Sequence, residues 1–256
     1  MINGINGKKN FLRYCEKCLV SNSDLVICDS KQIQKDMQKL FNVPSEKTIY
    51  IAYGADTKVS LLNNNDEKVI LWFKEKKVIF NEYYLIVGRF VPENNYETMI
   101  MEFMKSKTLK DLVIITNVEE NKFYNQLEKE THFSMDKRIK FVGTVYDKEL
   151  LKKIRENAFA YIHGHSVGGT NPSLLEALAL TNINLLFDVP YNREVANTAA
   201  IYFDKKIESL SNKINYLETS SEQIRRVYKK EAAKQIQNNY LWNDIVYQYE
   251  NLVKIK

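Results

Sequence analysis

The sequence predicts an α/β protein built on a Rossmann-like, doubly wound parallel sheet. Short apolar runs alternate with amphipathic stretches along nearly the whole chain, the pattern of strands and helices in a parallel sheet covered on both faces. The strongest runs are Tyr83–Val87, Leu112–Thr116, Ile139–Val142, Ala158–Ile162, Asn184–Phe187 and Ala200–Phe203. Each has four or five residues, the length of a buried strand. Two of them run directly into turn residues, Gly88 and His163-Gly164, before helical spacing resumes.

Each element follows in order. Leu25–Cys28 reads as a buried strand, with a helix from Ser30 to Leu40 behind it. Thr48–Ala52 is a second strand, closed by Tyr53-Gly54-Ala55-Asp56, and Asn63–Asp66 is the clearest polar loop. After Tyr83–Val87, residues Tyr96, Ile100, Phe103 and Met104 fall at helical spacing. Phe123 and Leu127 mark the next helix, then Leu150, Leu151 and Ile154, then Pro172–Leu180. Ile207, Leu210, Ile214 and Leu217 share one helical face, and Ser221 onward reads as helix in two pieces around Asn238 and Asn239. Sheets of this type bind ligands beyond the C-terminal ends of their strands.

Composition narrows the function classes. The 256 residues carry 37 Lys+Arg against 32 Asp+Glu, a formal charge of +5. An apolar share of 45% with 27% charged residues is that of a globular protein and excludes a disordered or collagen-like chain. Three Cys exclude a disulfide framework. No run reaches the about 18 apolar residues of a membrane helix, and Met1–Lys9 shows no signal-peptide pattern. The expectation is a soluble, cytoplasmic protein. Its charges interleave, as in Lys74-Glu75-Lys76-Lys77, so the basic excess favours anionic ligands or an anionic membrane surface only weakly. Without an arginine stripe and interleaved aromatics, nucleic acid is not an expected partner.

Three strand-to-helix turns can carry chemistry. In His163–Glu176, Gly168 and Gly169 let the backbone approach an anion, and Thr170, Asn171 and Pro172 open a helix whose N-terminus is partially positive. This is a diphosphate cradle or, equally, a structural turn before a well-capped helix. Glu176, near the start of that apolar helix, can accept from sugar hydroxyls or can simply face solvent. In Gly88–Asn95, Arg89 offers a planar fork for phosphate oxygens. Its plain alternative is a surface arginine paired with Glu93. Val142–Asp147 repeats the geometry, with Asp147 as an N-cap. His163 and His165 serve packing or ligand hydrogen bonds. Cys15 and Cys18 read as buried thiols, because zinc needs further ligands nearby, so no metal is expected. A nicotinamide enzyme would need G-x-G-x-x-G after its first strand, and none occurs.

Tyr84–Thr98, Ile139–Asp147 and His163–Ala177 together resemble the two-domain (GT-B) sugar transferases of glycosyltransferase family 4. Within that family they are most similar to bacterial rhamnosyltransferases of capsule and cell-wall polysaccharide synthesis. The resemblance implies that Arg89 is catalytic, holding the donor diphosphate and stabilising its departure. Gly168, Gly169, Thr170 and Asn171 would form the phosphate turn. Glu176 matches the second Glu of the family's E-x7-E and would contact the ribose. Gly143, Thr144, Val145 and Tyr146 would line the nucleobase pocket, with Gly88, Asn94 and His165 completing the substrate site. Gly168 stands where the family has the first Glu, and Asn94 where the broad family has a phosphate-binding Lys.

The implied substrate is a nucleotide sugar, dTDP-L-rhamnose, with no cofactor. The implied acceptor is a glycan or lipid-linked glycan, reached by peripheral contact at the inner face of the plasma membrane. The expected organisation is a remnant of an N-terminal, acceptor-side Rossmann-like domain over 1–58 and a linker over 59–80. A GT-B C-terminal donor domain would follow over 81–230, and a C-terminal crossing helix over 231–256, with Trp242, Ile245 and Tyr249 on one face. Two readings stand: a transferase, or a catalytically incomplete donor-binding half that works with a separate acceptor-domain polypeptide. On the second, the strands Leu25–Cys28 and Thr48–Ala52 have an exposed edge, which means poor solubility or a partner that covers it.

Overall fold

The computed structural model describes residues 2–118 and 122–254, so positions 1 and 255–256 of the expected first and last segments lie outside it. Helix α1 (Ile2–Asn22) leads into β1 (Val26–Cys28), α2 (Lys31–Phe41) and β2 (Thr48–Tyr50). Next come α3 (Glu67–Glu75), β3 (Tyr83–Val87), α4 (Tyr96–Lys105), β4 (Asp111–Ile115), α5 (Lys122–Thr131) and β5 (Ile139–Gly143). The second half runs α6 (Lys148–Glu156), β6 (Ala160–His163), α7 (Pro172–Leu180), β7 (Asn184–Phe187), α8 (Pro190–Ala196), β8 (Ile201–Phe203) and α9 (Ser209–Thr219). It closes with α10 (Glu222–Asn239) and α11 (Trp242–Lys254).

Strands β3–β8 form one parallel sheet in the order β5-β4-β3-β6-β7-β8. The chain winds outward one way from β3 and the other way from β6. That reversal is the topological switch of a Rossmann-like sheet, and it places the open crevice over the ends of β3 and β6. Both faces of the sheet are covered. Tyr84, Ile86, Leu112, Ile114 and Leu185 pack on one side with Ile100, Phe103 and Ile214. Tyr83, Leu85, Val113 and Tyr161 pack on the other with Ile154 and Ala177. Burial on both faces is why these strands read as continuous apolar runs rather than alternating ones.

Caps set the helix starts. The Ser30 side chain accepts from the Ile33 N–H at 2.9 Å and starts α2. Asp147 accepts from Glu149 and Leu150 and starts α6, and Asn171 accepts from Ser173 and Leu174 and starts α7.

The structure corrects several expectations. Residues 59–80 do not form a linker: they contain α3, whose Val69, Trp72 and Phe73 are buried in the core behind the sheet, with Val78 beside them. The boundary at 230/231 falls inside α10, and Ala232 and Ile236 of that helix pack in one cluster with Ile51, Ala52 and Ala55. Helix α8 was not anticipated, yet it buries Val195 and Ala196. Ile207 precedes α9 and is 81% exposed, because Glu208 adopts left-handed backbone (φ 64) and starts the helix after it. Cys28 is buried, but Cys15 and Cys18 on α1 are only half-buried.

Strand β1 is not the buried strand expected. It pairs with β2 alone in a two-stranded parallel sheet, and Ile27 is 41% exposed. This N-terminal unit is held on the larger sheet by polar and apolar contacts. The Glu194 carboxylate accepts from the Lys31 and Gln32 N–H groups at 2.7 and 3.0 Å, capping α2 from α8. Ile51, Ala52 and Ala55 pack with Leu174, Leu178, Ile236, Tyr240 and Ile245.

If α3 belongs to the core, Phe73→Ala removes a ring packed 4.1 Å from that of Phe80 and costs about 3–5 kcal/mol. Urea unfolding measures this; a loss within about 0.5 kcal/mol, as at a surface site, would return the segment to linker status.

Candidate functional site

A cleft of about 620 Å³ opens over the C-terminal ends of β3, β4 and β5. Gly88, Arg89 and Phe90 line it after β3, Thr116 and Asn117 after β4, and Thr144, Val145 and Tyr146 after β5. The pairing of β5 with β4 slips between Ile114 and Ile115, and Gly143 then takes a φ of 81°. The slip and the positive φ turn Thr144–Tyr146 across the mouth, and Tyr146 stands 88% exposed there. The Arg89 side chain is exposed and makes no ion pair among the described residues, so the alternative pairing with Glu93 does not form. Its fork is available to an anion in the cleft.

Behind Arg89 the loops after β3 and β6 interlock. Asn94 donates its side-chain amide to the Arg89 carbonyl at 2.8 Å, and Asn95 (φ 55) donates to the Gly164 carbonyl at 2.7 Å. Ser166 donates its N–H and its hydroxyl to the Glu93 carbonyl at 3.2 and 2.8 Å. A methyl group on Gly164 would collide with the Asn94 carbonyl oxygen and the Met99 thioether. Asn94 is buried, and its only N–H donor group on the side chain braces the backbone of Arg89. The structure therefore shows it as a support of the loop that carries Arg89.

The rings of His163 and His165 stack with centroids 4.1 Å apart and planes 8° apart. His163 is buried, with Nδ1 at 3.3 Å from the Tyr161 hydroxyl. Burial pushes it well below the usual histidine range, and His165 and Arg155 push it further. His165 lies against Gly88, where burial and the Arg89 cation bring it down to about 4. A neutral imidazole thus stands beside the arginine at the cleft.

The Gly168–Asn171 turn does not line the cleft. Gly168 has a φ of 139° and open space around it. Gly169 and Thr170 instead meet the loop between β1 and α2. The Asp29 carboxylate leaves no room for a methyl group on Gly169, and the Asp29 carbonyl accepts from the Thr170 N–H at 3.3 Å and from its hydroxyl. The Asn171 side chain is engaged as the α7 cap. Of the expected cradle, the Thr170 N–H and hydroxyl and the Asn171 side chain are therefore engaged within the protein, where the N-terminal unit docks. Burial pushes the Asp29 carboxyl up, and Glu194 adds to it.

Glu176 is half-exposed and lies outside the cleft lining. Its Oε2 accepts from Nη2 of Arg155 at 3.0 Å, and the same nitrogen donates to the Ser173 hydroxyl at 3.0 Å. Arg155 is 1% exposed and lies over the Tyr161 ring at 5.4 Å. The Ser173 and Tyr161 hydroxyls both donate to the Val87 carbonyl at 3.1 Å, at the end of β3. Sequence reasoning missed Arg155, Ser173, Tyr161 and Asp29. One signal was present: Arg155 follows Leu151 by one helical turn on the apolar stripe of α6.

Residues 64–235 match the family described as glycosyl transferases group 1. The chain belongs to that family. Residues 5–56 match a domain of unknown function, DUF1972. A glycosyltransferase from Rickettsia africae ESF-5 superposes with a TM-score of 0.79 at 14% identity, over 90% of this chain and 63% of that one. The Anabaena HepE protein in complex with UDP and glucose gives 0.82 at 14%, over 96% and 67%. Sucrose-phosphate synthase from Thermosynechococcus elongatus gives 0.77 at 16%, over 94% and 60%. The chain thus spans roughly two thirds or less of the length of these structures, and at such identities the likeness is one of fold. No curated protein sequence matches it. The group 1 glycosyl transferase fold here is α/β and Rossmann-like, of the GT-B kind.

In this transferase-family chain the half-buried His165 makes folding sensitive to acid. The unfolded chain protonates it below about 6.5, while the folded chain resists down to about 4. Stability is full above the higher value and falls by on the order of 3 kcal/mol as the pH drops to the lower one. Urea midpoints across that window should flatten in His165→Gln; equal slopes for both proteins would contradict the assignment.

Proposed function

We propose that this chain binds the nucleotide-sugar donor of a glycosyltransferase and places its diphosphate against Arg89. The observation that carries the reading is an arginine without an ion pair among the described residues, in a cleft over the C-terminal ends of β3, β4 and β5 of a glycosyl transferases group 1 domain. In this reading the nucleobase lies between the Thr144–Tyr146 turn and the loops after β3 and β4. The Arg89 guanidinium stabilises the charge that grows on the leaving diphosphate. His165, neutral beside it, can donate or accept a hydrogen bond without adding charge. Glu176, fixed by Arg155, is the candidate for the ribose contact. The group transferred is a hexose, L-rhamnose from dTDP-L-rhamnose, and the acceptor is a glycan or lipid-linked glycan of a surface polysaccharide. The reaction retains anomeric configuration and uses no metal or cofactor. It takes place in the cytoplasm, at the inner face of the plasma membrane. Anabaena HepE is described in complex with UDP-glucose, which makes uridine donors the natural competitor.

A second reading has its own observation. The β1–β2 sheet has two strands and open flanks, and Phe11, Leu12, Leu19 and Ile27 around it are exposed. Parallel sheets are normally larger and covered. This favours a donor-binding half whose N-terminal unit is completed by a separate acceptor-domain polypeptide.

Calorimetric titration with dTDP, dTDP-rhamnose, UDP and UDP-glucose, beside Arg89→Ala, tests the reading. Binding of a nucleoside diphosphate, weakened about 10–100-fold by the substitution, is expected. The preferred base names the donor. A folded chain that binds none of the four would leave no working donor site.

A further inference from the structure

The opposite end of the sheet carries a second cavity, of about 460 Å³. It lies where β3, β4, β6 and β7 begin, lined there by Asn81, Glu82, Lys110, Phe159 and Asn182, and α10 flanks it with Glu222, Arg225, Arg226 and Lys229. The nucleotide cleft is over the other ends of these strands, so the length of the sheet separates the two.

The charges around this cavity are not balanced. Lys110 meets Glu82 at 3.0 Å and Glu218 at 3.1 Å, and Arg226 meets Glu222 at 2.8 Å. Arg225 and Lys229 make no ion pair among the described residues. They stand four residues apart on α10, on one face, where like charges repel. Both the Lys110 ammonium and the Arg225 guanidinium lie over the Phe159 ring, at 4.6 and 5.3 Å from its centroid. The ring attracts cations without neutralising them. A guanidinium fork, an ammonium and two carboxamides converging on one concavity form the donor set that phosphate oxygens accept from.

We propose that this cavity binds a phosphate-bearing ligand between Arg225 and Lys229, independently of the nucleotide cleft. The phosphate belongs to a free phosphorylated molecule or to an anionic lipid headgroup. The loops beside Asn81 and Lys110 present Ile79 and Leu109, 67% and 94% exposed, which a bilayer would take up and a soluble ligand would not need.

Two probes separate these sources: inorganic phosphate followed by ³¹P line broadening, and phosphatidylglycerol–phosphatidylcholine vesicles followed by co-sedimentation. In the Arg89→Ala background, which removes the cleft's own phosphate contact, at least one should bind, and adding Arg225→Ala and Lys229→Ala should weaken that binding about tenfold or more. Vesicle binding that also falls in Leu109→Ser identifies the lipid, and phosphate binding without vesicle binding identifies the free ligand. Both target side chains reach solvent, so the double variant should keep its fold, checked by an unchanged circular dichroism melt. The proposal is overturned if neither probe binds the Arg89→Ala chain, or if binding to that chain survives the further double substitution.

Discussion

The backbones of the loops after β3 and β6 touch at Gly164, and the rest of the site is arranged around that contact. The Asn94 carbonyl occupies the space a side chain at position 164 would take. Asn95 and Ser166 then tie the two loops together from either side. With both backbones fixed, Arg89 can project only into the crevice, and His165 can lie only against Gly88. The switch point of a doubly wound sheet leaves a gap between diverging loops. Here the gap is closed at its base by main chain and left open at its mouth.

Under that contact runs a buried polar chain: the Val87 carbonyl, Ser173, Tyr161, Arg155 and Glu176. A buried guanidinium usually lowers stability unless it is well paired. Arg155 has one half-exposed carboxylate, one hydroxyl and one aromatic face. What the arrangement secures is geometry: the start of α7 is bolted to the end of β3, so Glu176 is oriented with respect to Arg89. The same burial keeps both histidines neutral.

The inner strands β4, β3, β6 and β7 were legible because burial on both faces favours near-continuous apolar residues, and the caps Ser30, Asp147 and Asn171 were legible because capping is local. Helix α3 was not. Its Val69-Ile70-Leu71-Trp72-Phe73 is a continuous apolar run with no helical period, set between Asn63–Asp66 and Lys74–Lys77, and it reads as neither element. The loops of the site were legible as glycine-bearing turns, but not what fills them. The docking of Asp29 on Gly169 and Thr170 joins positions 141 residues apart. No spacing rule reports such a contact. Nor does one report the Asn94 brace, since its partner is a backbone carbonyl that only the folded loop presents.

The tie between the chain's two ends bears on the order in which the molecule is finished. Ile51, Ala52 and Ala55 find their packing partners in Ala232, Ile236, Tyr240 and Ile245, and the Ala55 N–H donates to the Tyr240 carbonyl. During synthesis β1 and β2 emerge before the surface that receives them, which α10 and α11 complete. Until α10 and α11 have left the ribosome, the earliest strands must wait with their flanks uncovered. The β1–β2 unit is thus completed only after the helices that follow the large sheet have been made.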